Sequence, residues 1–191
     1  MSMTMTAAPA VEPVSLAAAR AHLRLDGTDD DAYLASLIAT SRLQVEAALG
    51  IALIDQSWTL TIDAWPDDGI VGLPLRPVSA VGQVNVITGD GAAIEVPAAQ
   101  YRVDGASVRP RVIADPSAIP EPGRSTDGIE INFIAGFGAS PDDVPAPIRH
   151  AILLLVAHWY ECRDAGPSNG DATRIPDAVS VLLAPYRQVR L

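Results

Sequence analysis

The stretch V-P-A-P-I-R-H-A-I-L-L-L-V-A-H-W-Y-E-C-R-D, from Val144 to Asp164, decides how the rest of the chain must be arranged. Pro145 and Pro147 fall in a first helical turn, where a missing N–H costs nothing, and Asp142 and Asp143 just upstream complement the positive helix start. From there Ile148, Ile152, Leu155, Trp159 and Cys162 recur at spacings of four, three, four and three, which stacks them on one face. Leu153, Leu154, Val156 and Ala157 cover much of the other face. A helix apolar nearly all round belongs inside a protein or inside a membrane. The uninterrupted run Ala151 to Ala157, flanked by Arg149, His150 and His158, is far shorter than the roughly 20 residues that cross a bilayer. The sequence therefore predicts a core helix over 145–164, with partners on both sides.

Those partners lie upstream. Ser15 reads as the N-cap of a short helix over Leu16 to Arg24 that Asp26-Gly27 ends. Thr28 reads as the cap of a second helix over 29–49, with Asp29, Asp30 and Asp31 explained as favourable charge and a capping acid at its start. Leu34, Leu37, Ile38, Val45, Ala48 and Leu49 form its apolar stripe, and Gly50 stands at its stop. After Gly50 the period switches to two: Trp58-Thr59-Leu60-Thr61-Ile62 alternates as a half-buried strand does. Further short strands are expected at 70–73, 81–88, 92–96, 101–103, 108–113 and 129–135, with Gly89-Asp90-Gly91 as a hairpin turn and 114–127 as an exposed loop. Prolines 74, 77, 97, 110, 116, 120 and 122 keep these strands short or at edges. Residues 1–12, small and polar, are expected to be loose.

The fold class this implies is α+β: a small helical bundle of two N-terminal helices plus the long C-terminal core helix, with a β-rich insertion and a C-terminal arm. We expect one domain over 1–191, divided into a helical part (13–50), the insertion (54–138), the core helix (145–164) and a hinge and arm (165–191). Helix two and the sheet are the expected partners of the core helix.

Composition narrows the function. The chain has 191 residues, 49% hydrophobic and 19% charged, which is the make-up of an ordered protein with a real core. Its formal net charge is −10, and all 13 basic residues are arginine, so a P-loop lysine and Schiff-base chemistry are excluded. Such an acidic chain does not grip nucleic acid by neutralising phosphates. A single cysteine closes no internal disulfide, and M-S-M-T-M-T-A-A-P-A lacks the features of a signal peptide, which points to assembly in the cytoplasm.

No residue pattern calls for catalysis. His150 and His158 stand eight apart, unlike the one-turn pair of a helical zinc motif, and Asp26 to Asp31 lacks the ligand alternation of a calcium loop. Gly136-Phe137-Gly138 lacks the third glycine of a dinucleotide turn and reads as a bulge or tight turn. Cys162, beside Glu161 rather than a base, reads as a buried thiol, and Trp159-Tyr160 as core packing. No catalytic residue, metal ligand or cofactor is expected.

The C-terminal stretch is different. Arg174, Arg187 and Arg190 outnumber Asp171 and Asp177, a slightly positive tail on a negative body. Ile175, Val179, Leu182, Leu183 and Tyr186 are too many apolar groups for a solvated tail, and after a hinge at 166–170 the spacing of Val179, Leu182 and Leu183 reads as a short amphipathic helix over Asp177 to Leu183. Two readings stay open: a terminal helix folded back on its own subunit, or a docking arm for a partner.

Three stretches carry a resemblance: P-V-S-L-A-A-A-R-A-H-L-R-L-D-G-T-D-D-D at 13–31, V-P-A-P-I-R-H-A-I-L-L-L-V-A-H-W-Y-E at 144–161, and L-L-A-P-Y-R at 182–187. With I-D-Q-S-W-T-L-T-I-D-A-W-P and I-N-F-I-A-G-F-G between them, they resemble the head-tail connector, or adaptor, proteins of long-tailed phages and phage-like gene transfer agents. The resemblance implies a virion structural protein without enzymatic activity. Its members form a homo-oligomeric ring, usually of twelve subunits, beneath the portal protein, with a stopper or tail-completion protein below and DNA passing through the channel unbound. An acidic ring repels phosphate, in keeping with that role. A tail terminator or stopper ring, or a small-ligand binding module or enzyme built on the β insertion, are the competing readings.

Overall fold

The computed structural model describes residues 1–105, 107–163 and 175–188. The chain divides into two compact units, one formed by Met1–Ala10 and Gly50–Ala139, the other by Val11–Leu49 and Ser140–Leu191.

The first unit is built from strands β1 (Ser2–Ala7), β2 (Gln56–Ile62), β3 (Ile70–Gly72), β4 (Val78–Ile87), β5 (Ala93–Glu95), β6 (Tyr101–Asp104), β7 (Arg111–Ala114) and β8 (Ile129–Ala135). They form a five-stranded sheet in the order β1-β2-β8-β4-β5 and a three-stranded sheet in the order β3-β7-β6, with antiparallel pairing throughout. Alternation along the strands selects the core: Leu60 and Ile62, Val84 and Val86, and Ile129, Ile131 and Phe133 meet Val71 and Val112 of the small sheet in one buried cluster. The other face of the large sheet is polar. There the Thr59 hydroxyl donates to Asn132 Oδ1 at 2.6 Å, across a β2–β8 register that runs unbroken from Gln56↔Ala135 to Ile62↔Ile129.

The Gly-Asp-Gly hairpin forms as expected, with the Thr88 N–H on the Ala92 carbonyl at 2.9 Å and Gly91 at φ 87°. Gly136 stands where a Cβ would lie 2.4 Å from the backbone nitrogen of Asp55. The turn it allows lets Phe137 N–H reach the Leu53 carbonyl at 3.0 Å, which fastens the end of β8 to the entry of β2.

One expectation is corrected. Ser2–Ala7, within the segment expected to be loose, is strand β1, paired on β2 from Ser2↔Thr61 to Ala7↔Ser57. All six of its residues are exposed, so backbone pairing rather than burial holds it. Its trace in the sequence is the alternation Met3-Thr4-Met5-Thr6, too short and too little buried to stand out from the small residues around it.

The second unit holds helices α1 (Leu16–Leu23), α2 (Asp31–Leu49), α3 (Ala146–Glu161) and α4 (Asp177–Leu183). Ser15 caps α1, its Oγ accepting from the Ala18 N–H at 3.1 Å. The helix stops at Arg24 in the left-handed region, φ 57°, two residues before Asp26. α2 begins at Asp31 rather than Asp29, after a turn in which the Asp31 N–H donates to the Thr28 carbonyl at 3.1 Å. Its acids take tertiary partners: Asp31 faces Arg20 at 3.5 Å, and Asp30 receives Tyr160 and Arg163. Further along α2, buried Arg42 binds Glu46 at 2.8 Å and reaches back to Glu12 at 2.8 Å.

α3 packs against α1, α2 and α4. Its buried residues are Ile148, Ala151, Ile152, Leu155 and Val156, one stripe at helical spacing. Leu153, Leu154, Ala157, Trp159 and Cys162 are only half-buried, which corrects the expectation of burial all round. The stripe matches the faces that three helices offer, and Trp159 lies at its margin, in the last turns.

Candidate interaction site

The end of α3 is fixed before α4 is reached. Tyr160 donates its hydroxyl to Asp30, Arg163 approaches the same carboxylate at 3.3 Å, and the Arg163 guanidinium carbon lies 5.1 Å from the centre of the Tyr160 ring. The hydrogen bond to Asp30 holds the Tyr160 phenol above its ordinary ionisation range. Tyr33 joins the cluster, its ring 6.1 Å from that of Tyr160 and its hydroxyl on the Trp159 carbonyl at 3.5 Å. Within α2, burial opposes the Arg42 charge, but hydrogen bonds and charge from Glu12 and Glu46 outweigh it and raise the guanidinium above its ordinary value. The platform under α4 is α3.

On that platform α4 occupies the span read from the sequence, 177–183. Val179 and Leu183, at 2% and 5% exposure, turn into the helical unit. Leu182 and Tyr186 are half-buried, and Ile175 and Arg187 are exposed. The folded-back arrangement thus holds for the described part of the arm. Arg174, Arg190 and the expected hinge at 166–170 lie outside the described residues. The sequence reading missed Val181, which is 73% exposed. A helical wheel exposes it, because it lies about 160–200° from Val179 and Leu183 at 100° per residue.

Nothing in either unit assembles a reaction centre among the described residues. No group of three or more His, Cys, Asp and Glu side chains converges as metal ligands would, and no helix is long and apolar enough to cross a membrane. Cys162 is half-buried with its Sγ 3.9 Å from His158 Nδ1, so its nearest polar neighbour is the imidazole one turn back, not only Glu161. A recess of about 350 Å³ in the β unit is lined by Trp65, Ile119, Pro120 and Pro122 under Asp63 and Asp67. A groove of about 440 Å³ in the helical unit runs along Val14, Ala18, Arg149 and Leu153.

Comparison with known proteins agrees. A family model described as phage gp6-like head-tail connector protein matches residues 13–107. A chain from the neck of an empty gene transfer agent particle, solved with C6 symmetry, superposes with a TM-score of 0.84 at 31% identity, over 100% of this chain and 97% of that one. The chain belongs to the head-tail connector family. The connector is similar as well to a chain from the virion of a native gene transfer agent particle, with TM-score 0.82, 31% identity and the same 100% and 97% coverage. A chain from the neck of a native particle, solved with C12 symmetry, gives TM-score 0.80 and 29% identity over 100% and 97% of the two chains. Comparison with curated proteins gives no match. The family and these structural relatives are virion components of the neck and not enzymes, so the connector is a structural protein of the head-tail junction. The resemblance read from 13–31, 144–161 and 182–187 is borne out.

Proposed function

We propose that the connector forms a ring of twelve copies beneath the portal of a phage or gene transfer agent particle, joins the DNA-filled head to the tail, and lines part of the DNA channel. The observation that carries this reading is the end-to-end match to a neck chain solved with C12 symmetry. The charge supports it. A chain with net charge −10 and no lysine lets a polyanion pass without holding it. The C-terminal arm is the part that contacts the portal protein: Ile175, Leu182, Tyr186 and Arg187 offer apolar and bidentate contacts on the subunit as it stands, and Val181 adds an apolar group. Val179 and Leu183 join them if α4 leaves α3, and Arg174 and Arg190 extend the arginine set. A stopper or tail-completion protein binds the opposite side of the ring.

The test is a reconstruction of the neck from particles carrying this chain, beside particles from cells that lack it. Twelvefold density for the chain between portal and tail, with tailless heads in its absence, is the expected result. Tailed, DNA-retaining particles made without the chain would refute it.

A further inference from the structure

We infer that strand β1 is the edge by which one copy of the connector joins the next, pairing with β5 of its neighbour so that the five-stranded sheet continues from subunit to subunit; this rests on the ring proposed above. The two strands are the opposite ends of the sheet order β1-β2-β8-β4-β5. An edge strand exposes a row of unpaired N–H and C=O groups, and proteins that must stay single protect such edges with charge, proline or shortness. β1 has none of these, its one irregularity being a register shift between Met5 and Ala7, whereas β5 is three residues ending in Glu95, so the joint carries a charge on one side only. β1 runs six residues, Ser-Met-Thr-Met-Thr-Ala, without a charge or a proline, in a chain of net charge −10. That neutral row is where two acidic subunits approach with least repulsion.

Register adds a second, independent argument. Met3 pairs with Leu60, which pairs with Ile131, which pairs with Val84; Met5 leads in the same way through Trp58 and Phe133 to Val81. Directly paired residues share a face, so Met3 and Met5 lie on the side of the sheet that carries the core. At the far edge Ile94 pairs with Val86 and shares that side. Met3, Met5 and Ile94 are 36%, 42% and 46% exposed, apolar ledges left over at both ends of one buried face. Setting β5 of one copy on β1 of the next brings the ledges together and extends the core face across the joint. Two different edges meeting head to tail is the heterologous contact that a cyclic ring requires, and neck relatives are solved with C6 and C12 symmetry.

The test uses particles assembled with the full chain carrying Cys162→Ser and Ile94→Cys together with Met3→Cys or Met5→Cys, oxidised and run on a denaturing gel. A ladder of covalent multimers from a paired variant, with monomer from every single-cysteine variant, is the expected result. Dimers from the Met3→Cys or Met5→Cys chain alone would mean that β1 meets β1, and would overturn the head-to-tail pairing. Monomer from both paired variants, in particles shown by mass spectrometry to contain the chain, would overturn the strand pairing and leave the connector reading standing. Absence of the cysteine-free chain from the particles would overturn both. A charged edge, Met3→Lys with Met5→Lys, gives a second readout: incorporation into necks falls about tenfold while the melting curve of the free chain stays in place, because both side chains lie at an exposed edge. Normal incorporation of that variant would count against the pairing.

Discussion

Tyr160 on α3 donates its hydroxyl to the carboxylate of Asp30, 130 residues earlier in the chain. One phenol thereby ties the last turn of the long helix to the start of α2, and the Arg163 guanidinium closes on the same carboxylate at 3.3 Å. The bond favours the neutral phenol, so Tyr160 ionises at higher pH in the folded protein than in the unfolded chain. Its contribution to stability is complete below the ordinary phenol pKa of about 10 and is lost as pH rises through the higher folded value. Tyr160→Phe should remove this alkaline loss and lower the melting temperature at neutral pH, as read by thermal melts from pH 7 to 11. An unchanged alkaline limb would show that the bond carries no linkage.

Arg42 on α2 is a second charged clasp of the helical unit. Its side chain is 11% exposed between Glu12 at 34% and Glu46 at 10%. Arg42→Met would leave two carboxylates facing one another with no counter-charge. We expect a loss of about 3 kcal/mol in urea unfolding, the low end for a broken buried pair because Glu12 keeps contact with water. A double change, Arg42→Met with Glu46→Leu, should recover part of it.

Gly136 tests the close approach of β8 to the segment before β2. An added Cβ would meet the Asp55 nitrogen at 2.4 Å, where neither backbone can give way without breaking the bond from Phe137 N–H to the Leu53 carbonyl. Gly136→Ala should cost roughly 2 kcal/mol, in the range of core overpacking. A denaturation midpoint within error of the parent would refute the contact.

Two residues on α4 separate folding from docking. Leu183 is buried at 5%, and Leu183→Ala should cost about 2–3 kcal/mol. Val181 is 73% exposed, and Val181→Asp should leave stability within about 0.5 kcal/mol while reducing attachment to portal-bearing heads. Full attachment of the Val181 variant would place the docking contact elsewhere on the arm.

Trp159 shows how tertiary context rescales an expectation. Spacing alone puts it in the core stripe, where truncation to alanine costs about 3–5 kcal/mol. It is half-buried, and its carbonyl accepts from the Tyr33 hydroxyl, so Trp159→Ala should cost about 2 kcal/mol by denaturant unfolding.

What the sequence determined by itself is the set of local choices. The switch from helical to alternating period after Gly50 placed seven strands, Ser15 placed the start of α1, and the spacing of Val179, Leu182 and Leu183 placed α4, because side-chain burial on one face leaves a periodic trace. The order of motifs at 13–31, 144–161 and 182–187 carried the family. Tertiary structure decided what periodicity does not record. β1 is held by backbone hydrogen bonds to β2, which any uncharged alternating stretch can make, so the Met-Thr alternation of Ser2–Ala7 is decided as a strand only when a partner stands beside it. Asp30 reads locally as a helix-start acid, and only the arrival of α3 gives it Tyr160 and Arg163. Which sides of α3 and α4 are buried depends in the same way on the helices packed against them, since an apolar residue reports a preference for contact and not the neighbour that supplies it.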